Sequence, residues 1–204
     1  HKAGKNPGYT TEPEVPAELL KQAARECDTA IISICRFSAE GWDRKGEPDD
    51  GDFYLSREEQ RMVADVTAAF RKVVVVLNVG GMVDTSWFAH NDKIFSVLLA
   101  WQGGMEGGHA VADLLSGKVS PSGKLTDTIA GSLADYPSAN DFGDMVRNFY
   151  TEDIYVGYRY FETFCPEKVL YEFGFGLSYT DFTIEISEAE TKECGKKVQI
   201  TVQV

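Results

Sequence analysis

The sequence predicts an α/β fold in which a mostly parallel sheet lies between two layers of helices, giving a three-layer α/β/α sandwich. Apolar strand-like runs alternate with amphipathic helical patterns from residue 17 to about residue 117, which is typical of such a sheet. The β-branched run at 73–79 is nearly unbroken, as expected for a parallel strand buried on both faces. A period of two near the C-terminus predicts an antiparallel hairpin, so we expect a separate β-sandwich to begin there.

The elements of the first half follow in order. Residues 1–16 are rich in glycine and proline and predict an extended lead-in. Pro16 suits the first turn of a helix at residues 17–26, and a buried strand is predicted at 29–34. A polar loop at 43–52 then leads to Ser56-Arg57-Glu58-Glu59, a capping box that opens the next helix.

The second half begins with the strand at 73–79, which the pair Gly80-Gly81 ends. The pattern then predicts a short helix at 85–89, a buried strand at 94–101 and a helix with an apolar stripe at 110–115 that stops at Gly117. Residues 121–125 predict a turn into a short strand, 130–150 a surface excursion, and 182–204 the hairpin. We therefore divide the chain into a lead-in (1–16), an α/β domain (17–180) and the start of a truncated β-sandwich (181–204).

The composition of the chain argues against two classes of partner, nucleic acids and membranes. The chain has 204 residues and a net charge of -12, so it has no electrostatic reason to bind nucleic acid. No apolar run approaches the roughly 20 residues that span a bilayer, and no signal peptide is visible, although the chain begins at His1 rather than Met. We expect neither a nucleic acid partner nor a membrane.

Four cysteines are present, Cys27, Cys35, Cys165 and Cys194, and none belongs to a Cys-x-x-Cys pair. We therefore expect no metal site and no dithiol redox chemistry, and interpret the cysteines as reduced thiols, with Cys27 and Cys35 buried in core elements. The chain also has no Asn-x-Ser/Thr acceptor site for glycosylation. Both features favour a cytoplasmic setting.

A glycine cluster at 103–108 lies between a predicted strand and a predicted helix, where a phosphate cradle would lie. It lacks the Gly-x-Gly-x-x-Gly and Gly-Lys-Ser/Thr patterns, and Glu106 within it would repel phosphate. We interpret the cluster as a tight strand-to-helix turn, and His109 beside it as structural. A nucleotide-binding α/β domain that uses this cluster is one hypothesis, but the missing phosphate-binding patterns count against it. We expect no cofactor.

The loop that follows the strand at 29–34 carries Glu40, Trp42, Asp43 and Arg44. Ligands of open α/β sheets bind beyond the carboxyl ends of the strands. Partial desolvation beside Trp42 would raise the pKa of Glu40 and suit it to general acid catalysis, and Trp42 would stack on a sugar. The same residues are compatible with a solvated loop in which Arg44 pairs with Asp49 or Asp50, and chemistry alone does not separate the two.

Seven segments together resemble family 3 glycoside hydrolases of the β-glucosidase type. The resemblance covers roughly residues 17–182, and its order and spacing are more specific than any one motif. The segments are SAEGWDR (38–44), GDFYLS (51–56), WQGGMEGG (101–108), ADLLSG (112–117), PSGKL (121–125), EDIYVGYRY (152–160) and YEFGFGLSYT (171–180).

This resemblance implies the sandwich domain that follows a barrel in these enzymes, and a fibronectin type III-like domain after it. Glu40 falls on the general acid/base of the family, with Trp42, Asp43 and Arg44 beside it as candidate substrate-binding residues. The retaining mechanism needs a second carboxylate about 5–5.5 Å away as nucleophile, and in this family that Asp lies in the barrel. The resemblance thus implies a β-glucoside or oligosaccharide substrate and a preceding barrel domain as partner.

We therefore expect the domain of an exo-acting β-glucosidase-like enzyme that is inactive when isolated. The alternative is a non-catalytic carbohydrate-binding or assembly module on the same scaffold, which would need no acid at position 40. A homo-oligomer stays open, and the sugar and linkage are not predicted.

Overall fold

The structure, a computed structural model, describes residues 11–38, 40–41, 44–141, 143–144 and 146–204. Its centre is a parallel sheet of three strands in the order β1-β2-β3, followed along the chain by two antiparallel pairs, β4-β5 and β6-β7. The helices are α1 (Ala17–Glu26), α2 (Arg57–Ala69), α3 (Ser86–Ala89), α4 (Gly107–Leu115) and α5 (Tyr158–Phe164), and the strands are β1 (Thr29–Arg36), β2 (Lys72–Val79), β3 (Ile94–Leu99), β4 (Ile129–Ala130), β5 (Val169–Tyr171), β6 (Glu185–Lys192) and β7 (Lys197–Gln203). The predicted alternation of strand and helix is confirmed.

Strand β2 is the centre of the sheet, with β1 and β3 paired parallel on either side. Val73, Val75 and Val79 are fully shielded from solvent, and Val76 is also buried on the opposite face. A β-branched run suits this position because branched side chains pack well on a pleated surface covered from both sides. The prediction of a buried parallel strand at 73–79 is confirmed.

Helices α1 and α2 cover one face of the sheet. Val63 and Val66 of α2 share a core cluster with Ile32, Ile34 and Val75, and apolar residues of α1 pack against it. Burying each such side chain contributes about 1.5–3 kcal/mol, so this single layer supplies most of the hydrophobic stabilisation of the sheet.

The opposite face is much less covered. Ile31 of β1 is 60% exposed and Phe95 of β3 is 68% exposed. The predicted buried strand at 29–34 is therefore buried on one face only, and the one predicted at 94–101 is only partly buried. Helix α4 lies on this side, across a cavity of about 1290 Å³ that Val76 and its ladder partner Leu98 help to line. No residue of α4 is buried. The reason is the layer arrangement, because α1 and α2 pack on the other face of the sheet.

Two strand ends differ from the prediction. Strand β1 continues to Arg36, two residues beyond the predicted end, whereas β3 stops at Leu99. Trp101 has a φ of +53°, in the left-handed region that a bulky side chain rarely adopts, so it cannot continue a strand.

The short strand predicted after the turn at 121–125 begins at Ile129, four residues beyond Leu125. Leu125 instead forms two backbone hydrogen bonds with the 174–175 segment: its N–H donates to the Phe175 carbonyl at 2.8 Å and its carbonyl accepts from the Gly174 N–H at 2.8 Å. The short strand is β4, which pairs with β5.

A second small core lies beyond the sheet, around Phe161, Ala130 and Cys165. The Tyr136 ring meets Phe161 edge to face at 5.3 Å. Its hydroxyl accepts from the Ala130 N–H at 2.9 Å and donates to the Thr128 carbonyl at 3.0 Å. Burial raises the pKa of Tyr136, which keeps the hydroxyl protonated in both bonds. The predicted surface excursion at 130–150 therefore includes a packed anchor.

The C-terminal hairpin of β6 and β7 is confirmed, with its turn at Glu193 to Gly195. Every residue of both strands is exposed, including the apolar row that contains Ile186, Ile200 and Val202. An isolated hairpin is marginal in water, and this one has the exposed apolar row expected at the start of a β-sandwich.

The four cysteines are free thiols, but the prediction of burial is wrong for two of them. Cys27 and Cys35 are exposed, as is Cys194, and only Cys165 is buried. Side chains of a strand alternate between its two faces. Ile34 and Arg36 lie on the buried face of β1, so Cys35 between them lies on the exposed face. Within the described ranges, no helix is long and apolar enough to cross a membrane.

A buried ion pair ties the sheet to α2. Arg36 and Glu59 form two hydrogen bonds of 2.7 Å, and their side chains are only 6% and 12% exposed. Glu59 also closes the predicted capping box, in which Ser56 and Glu59 each accept from the other's backbone N–H. The capping box is thus confirmed, and its carboxylate has a second partner that helix rules do not predict.

We expect Glu59→Ala to lower the free energy of unfolding by about 3–5 kcal/mol, because it leaves the Arg36 charge buried without its partner. Glu58→Ala is the matched control in the same helical turn, and should change the free energy by about 0.5 kcal/mol or less. Urea unfolding followed by circular dichroism measures both. Equal stability of the two variants would show that the pair contributes nothing net.

Candidate functional site

The site lies where the three parallel strands end. Ser38 follows β1, Gly80 follows β2, and Gln102 follows β3. A Cβ added to Gly80 would lie 2.6 Å from Gln102 Nε2 and 2.7 Å from Ser38 Cβ. The three connections therefore meet at one edge of the sheet, in the crevice where open α/β sheets bind ligands.

Glu40 lies four residues beyond the last residue of β1, in a turn, with its side chain exposed. Gly41 follows with a φ of +76°, a conformation that glycine adopts without strain and that turns the chain. Glu40 is therefore an exposed carboxyl on the loop that follows β1. The desolvation that the sequence suggested for Glu40 is not supplied by the described residues.

Arg44 pairs with Asp52, and not with Asp49 or Asp50 as the solvated-loop interpretation supposed. Its Nε donates to the Asp52 carboxylate, and its Nη2 donates to the Asp52 carbonyl at 3.0 Å. Asp49 is engaged elsewhere, because it accepts from Arg57 at 3.0 Å and from Gln60 at 2.8 Å. Trp42 and Asp43, the other candidate substrate-binding residues, lie outside the described residues.

Sequence reasoning missed three residues that organise this site, Arg36, Asp52 and Glu59. Arg36 donates to the Asp52 carbonyl at 2.7 Å as well as to Glu59, so it links the crevice to α2. A signal for it was present. Arg36 continues the alternation of Ile32 and Ile34, which places a charge on the buried face, and a buried charge requires a partner.

An open pocket of about 530 Å³ adjoins the crevice. It is lined by Gly80, Gly81, Met82, Trp101, Thr126 and Asp127. Trp101, whose backbone φ is +53°, and Asp127, whose side chain is exposed, both line this pocket. No sequence pattern pointed to Asp127, because residue 127 is far along the chain from every predicted motif residue of the loop.

The glycine cluster is a packed turn, in line with the interpretation from sequence. A Cβ at Gly103 would lie 2.9 Å from the Gly107 Cα, so this backbone approach requires glycine. Glu106 contacts His109, and both side chains are exposed. In the described part of the chain, no group of three or more His, Cys, Asp or Glu side chains is arranged to hold a metal ion.

The match to a family model decides the relationship. Residues 14–179 match the glycosyl hydrolase family 3 C-terminal domain, which is most of the chain. The chain belongs to glycosyl hydrolase family 3. The resemblance drawn from the sequence motifs is therefore confirmed, and so is the α/β sandwich with its following β-hairpin.

Relatives in the family agree over nearly the whole chain. The beta-glucosidase A of Butyrivibrio fibrisolvens is 52% identical over 93% of this chain and 26% of that protein. A beta-glucosidase of Ruminococcus albus is 41% identical over 98% of this chain and 21% of that protein. The chain thus spans about a quarter of the length of these curated relatives.

A solved structure gives the same result for the fold. The crystal structure of a beta-glucosidase from Paenibacillus barengoltzii superposes with a TM-score of 0.85 and 46% identity, covering 92% of this chain and 20% of that one. Beta-glucosidase 3B of Thermotoga neapolitana, solved in complex with glucose, superposes with a TM-score of 0.80 and 39% identity, over 95% of this chain and 27% of that chain. The role of Glu40 and the domain limits at 16 and 180 stay predictions.

We expect Gly80→Ala to destabilise the protein by about 1–3 kcal/mol, because the new methyl group overlaps Ser38 and Gln102. Gly104→Ala is the control, since nothing lies within 4 Å of the position that its new methyl group would occupy and its backbone φ is unexceptional. Urea unfolding of both variants checks this. If Gly80→Ala were as stable as Gly104→Ala, the three strand ends would not meet as closely as the structure places them.

Proposed function

We propose that this chain is the acid/base-bearing domain of a retaining β-glucosidase and that Glu40 is the general acid/base. The observation that carries the proposal is an exposed carboxyl, Glu40, on the loop that leaves the carboxyl end of β1 in a family 3 domain. The Butyrivibrio fibrisolvens and Ruminococcus albus relatives are named beta-glucosidases, which supports terminal β-glucosyl residues as the substrate class.

In the first step that we propose, Glu40 acts as a carboxylic acid. A nucleophilic carboxylate attacks the anomeric carbon of the sugar while Glu40 donates its proton to the glycosidic oxygen, and the alcohol leaves. The product is a covalent glycosyl-enzyme ester on the nucleophile. We propose that the nucleophile is an Asp in a barrel domain that precedes this one in the whole enzyme.

In the second step, Glu40 is a carboxylate and acts as a base. It accepts a proton from water as the water oxygen attacks the anomeric carbon, and the bond to the nucleophile breaks. Two inversions give net retention and return Glu40 to its acid form. An exposed position suits this dual role, because leaving alcohol and incoming water must both reach the same carboxyl.

The isolated chain of residues 1–204 should not hydrolyse an aryl β-glucoside above a trace rate, because this proposal places the nucleophile in another domain. Purified chain is assayed with nitrophenyl β-glucoside, and a mock purification from the same host excludes contaminating enzyme. Sustained turnover by the chain alone would overturn the division of the active site between two domains.

In the full-length enzyme, Glu40→Gln should slow cleavage of a disaccharide by about 10²–10⁴-fold, the usual contribution of a positioned acid or base. Glycosylation by a dinitrophenyl β-glucoside should slow much less, because dinitrophenolate leaves without a proton. The covalent intermediate should then accumulate and give a burst. Azide needs no base, so it should accelerate turnover and yield the β-glycosyl azide.

Glu47→Gln is the matched control, because Glu47 is an exposed carboxylate of the same loop. It should leave both substrates and the azide response unchanged. Equal slowing of both substrates by Glu40→Gln, without azide rescue, would contradict the assignment. That result would favour a binding or assembly role for this loop.

A further inference from the structure

We propose that Asp52 is the positioning residue of Glu40: it fixes both ends of the loop segment that carries the acid/base. This inference rests on the proposed function of Glu40. It assigns to Asp52 no contact with the substrate, only the placement of the carboxyl that makes one.

The contacts on the first side of the segment begin at the end of β1. Arg36 donates through Nε to the Asp52 carbonyl at 2.7 Å. The same guanidinium contacts the Cys35 carbonyl at 2.8 Å and is held by Glu59 of α2. The first side is therefore attached to both the sheet and a helix.

The contacts on the second side come after the segment. Arg44 donates to the Asp52 carboxylate through Nε and to its carbonyl through Nη2, at 3.0 Å for the latter. The Lys45 backbone N–H donates to the other carboxylate oxygen, Oδ2, at 2.8 Å. Residues 37–43, which include Glu40, are thus spanned by contacts that converge on one residue.

Asp52 is itself held in place. The next residue, Phe53, donates to the Lys45 carbonyl at 3.1 Å and accepts from the Asp84 N–H at 2.9 Å. This ties the Asp52 segment to the connection between β2 and α3. An anchor fixed to the sheet on one side and to this connection on the other can hold a loop against thermal motion.

Glu40 is exposed on this loop, so anchors that hold the loop also set the position of its carboxyl. A general acid must lie within about 2.6–3.2 Å of the oxygen that it protonates. A displacement of about 1 Å can cost about 10²-fold in rate. Small movement of the anchors therefore reaches the chemistry without any contact to the substrate.

Asp52→Asn weakens the second side of this arrangement selectively, although Arg44 Nη2 can still donate to the backbone carbonyl of residue 52. The Asp52 carboxylate accepts from two donors at once, through Oδ1 from Arg44 and through Oδ2 from Lys45. An amide has one oxygen and places its NH₂ against the second donor. The carbonyl of residue 52 still accepts from Arg36, so the first side stays attached.

The test is Asp52→Asn in the full-length enzyme, with Asp28→Asn as the matched control. Asp28 also pairs with an arginine, Arg71 at 2.5 Å, but at the opposite end of β1. We expect Asp52→Asn to lower kcat for a disaccharide by about 10–100-fold. It should slow glycosylation by dinitrophenyl glucoside much less, because dinitrophenolate leaves without a proton, and Asp28→Asn should change neither.

A second variant keeps the test decisive if Asp52→Asn does not fold. Arg44→Gln removes the same pair from the other side and should give the same dependence on the leaving group. Loss of a direct substrate contact by Arg44 would instead raise KM for both substrates alike. Asp52→Glu retains two acceptor oxygens and should recover part of the disaccharide activity that Asp52→Asn loses.

Equal slowing of both substrates by Asp52→Asn, or behaviour like that of Asp28→Asn, would overturn the positioning role. The two proposals fail separately. If Glu40→Gln shows no leaving-group dependence and no azide rescue, the proposed function is wrong. If Glu40→Gln shows both and Asp52→Asn shows neither, only the role of Asp52 is wrong.

Discussion

The buried ion pair between Arg36 and Glu59 is the constraint on which the rest of the structure depends. Arg36 ends the strand that leads to Glu40, and Glu59 begins the helix that covers that strand. Two charges removed from water stabilise a fold only when their geometry is good and their remaining donors are satisfied. Here the guanidinium also donates to the carbonyls of Cys35 and Asp52, so those donors are used.

The contacts of Arg36 also lower the entropy cost of ordering the long loop between β1 and α2. The chain from β1 to α2 runs from residue 37 to residue 56, and a free loop of this length would sample many positions. The anchors at Asp52 divide it into a short segment that carries Glu40 and a return segment held to the sheet. Closing a shorter loop costs less entropy, so order at the crevice follows from contacts that also stabilise the core.

Most of the fold could be predicted from sequence because its signals are local. The run at 73–79, the capping box at Ser56 and the helix stop at Gly117, with a φ of +75°, each depend on neighbours in the chain. Glu40 could be placed beyond a strand for the same reason. The partner of Arg44 could not be chosen, because three nearby Asp residues are chemically alike and only the fold brings Asp52 to it.

The errors concern burial, which depends on layers and not on local pattern. Cys35 and Ile31 look like core residues in sequence, yet they lie on the face of β1 that the described residues leave uncovered. Trp101 continues an apolar run, and only its backbone conformation shows that the strand cannot include it. Asp127 reaches the crevice through a long-range arrangement that no spacing rule describes.

The uncovered sheet face also determines how this domain behaves as a sample. Ile31, Phe95 and the apolar row of the hairpin expose apolar surface to solvent. The chain that carries them has a net charge of -12 at neutral pH. Mutual repulsion keeps such molecules apart at low ionic strength. Near the isoelectric point of about 4.7, or at high salt, that repulsion disappears and the exposed faces can meet. Net charge thus opposes aggregation through the apolar surface that remains exposed.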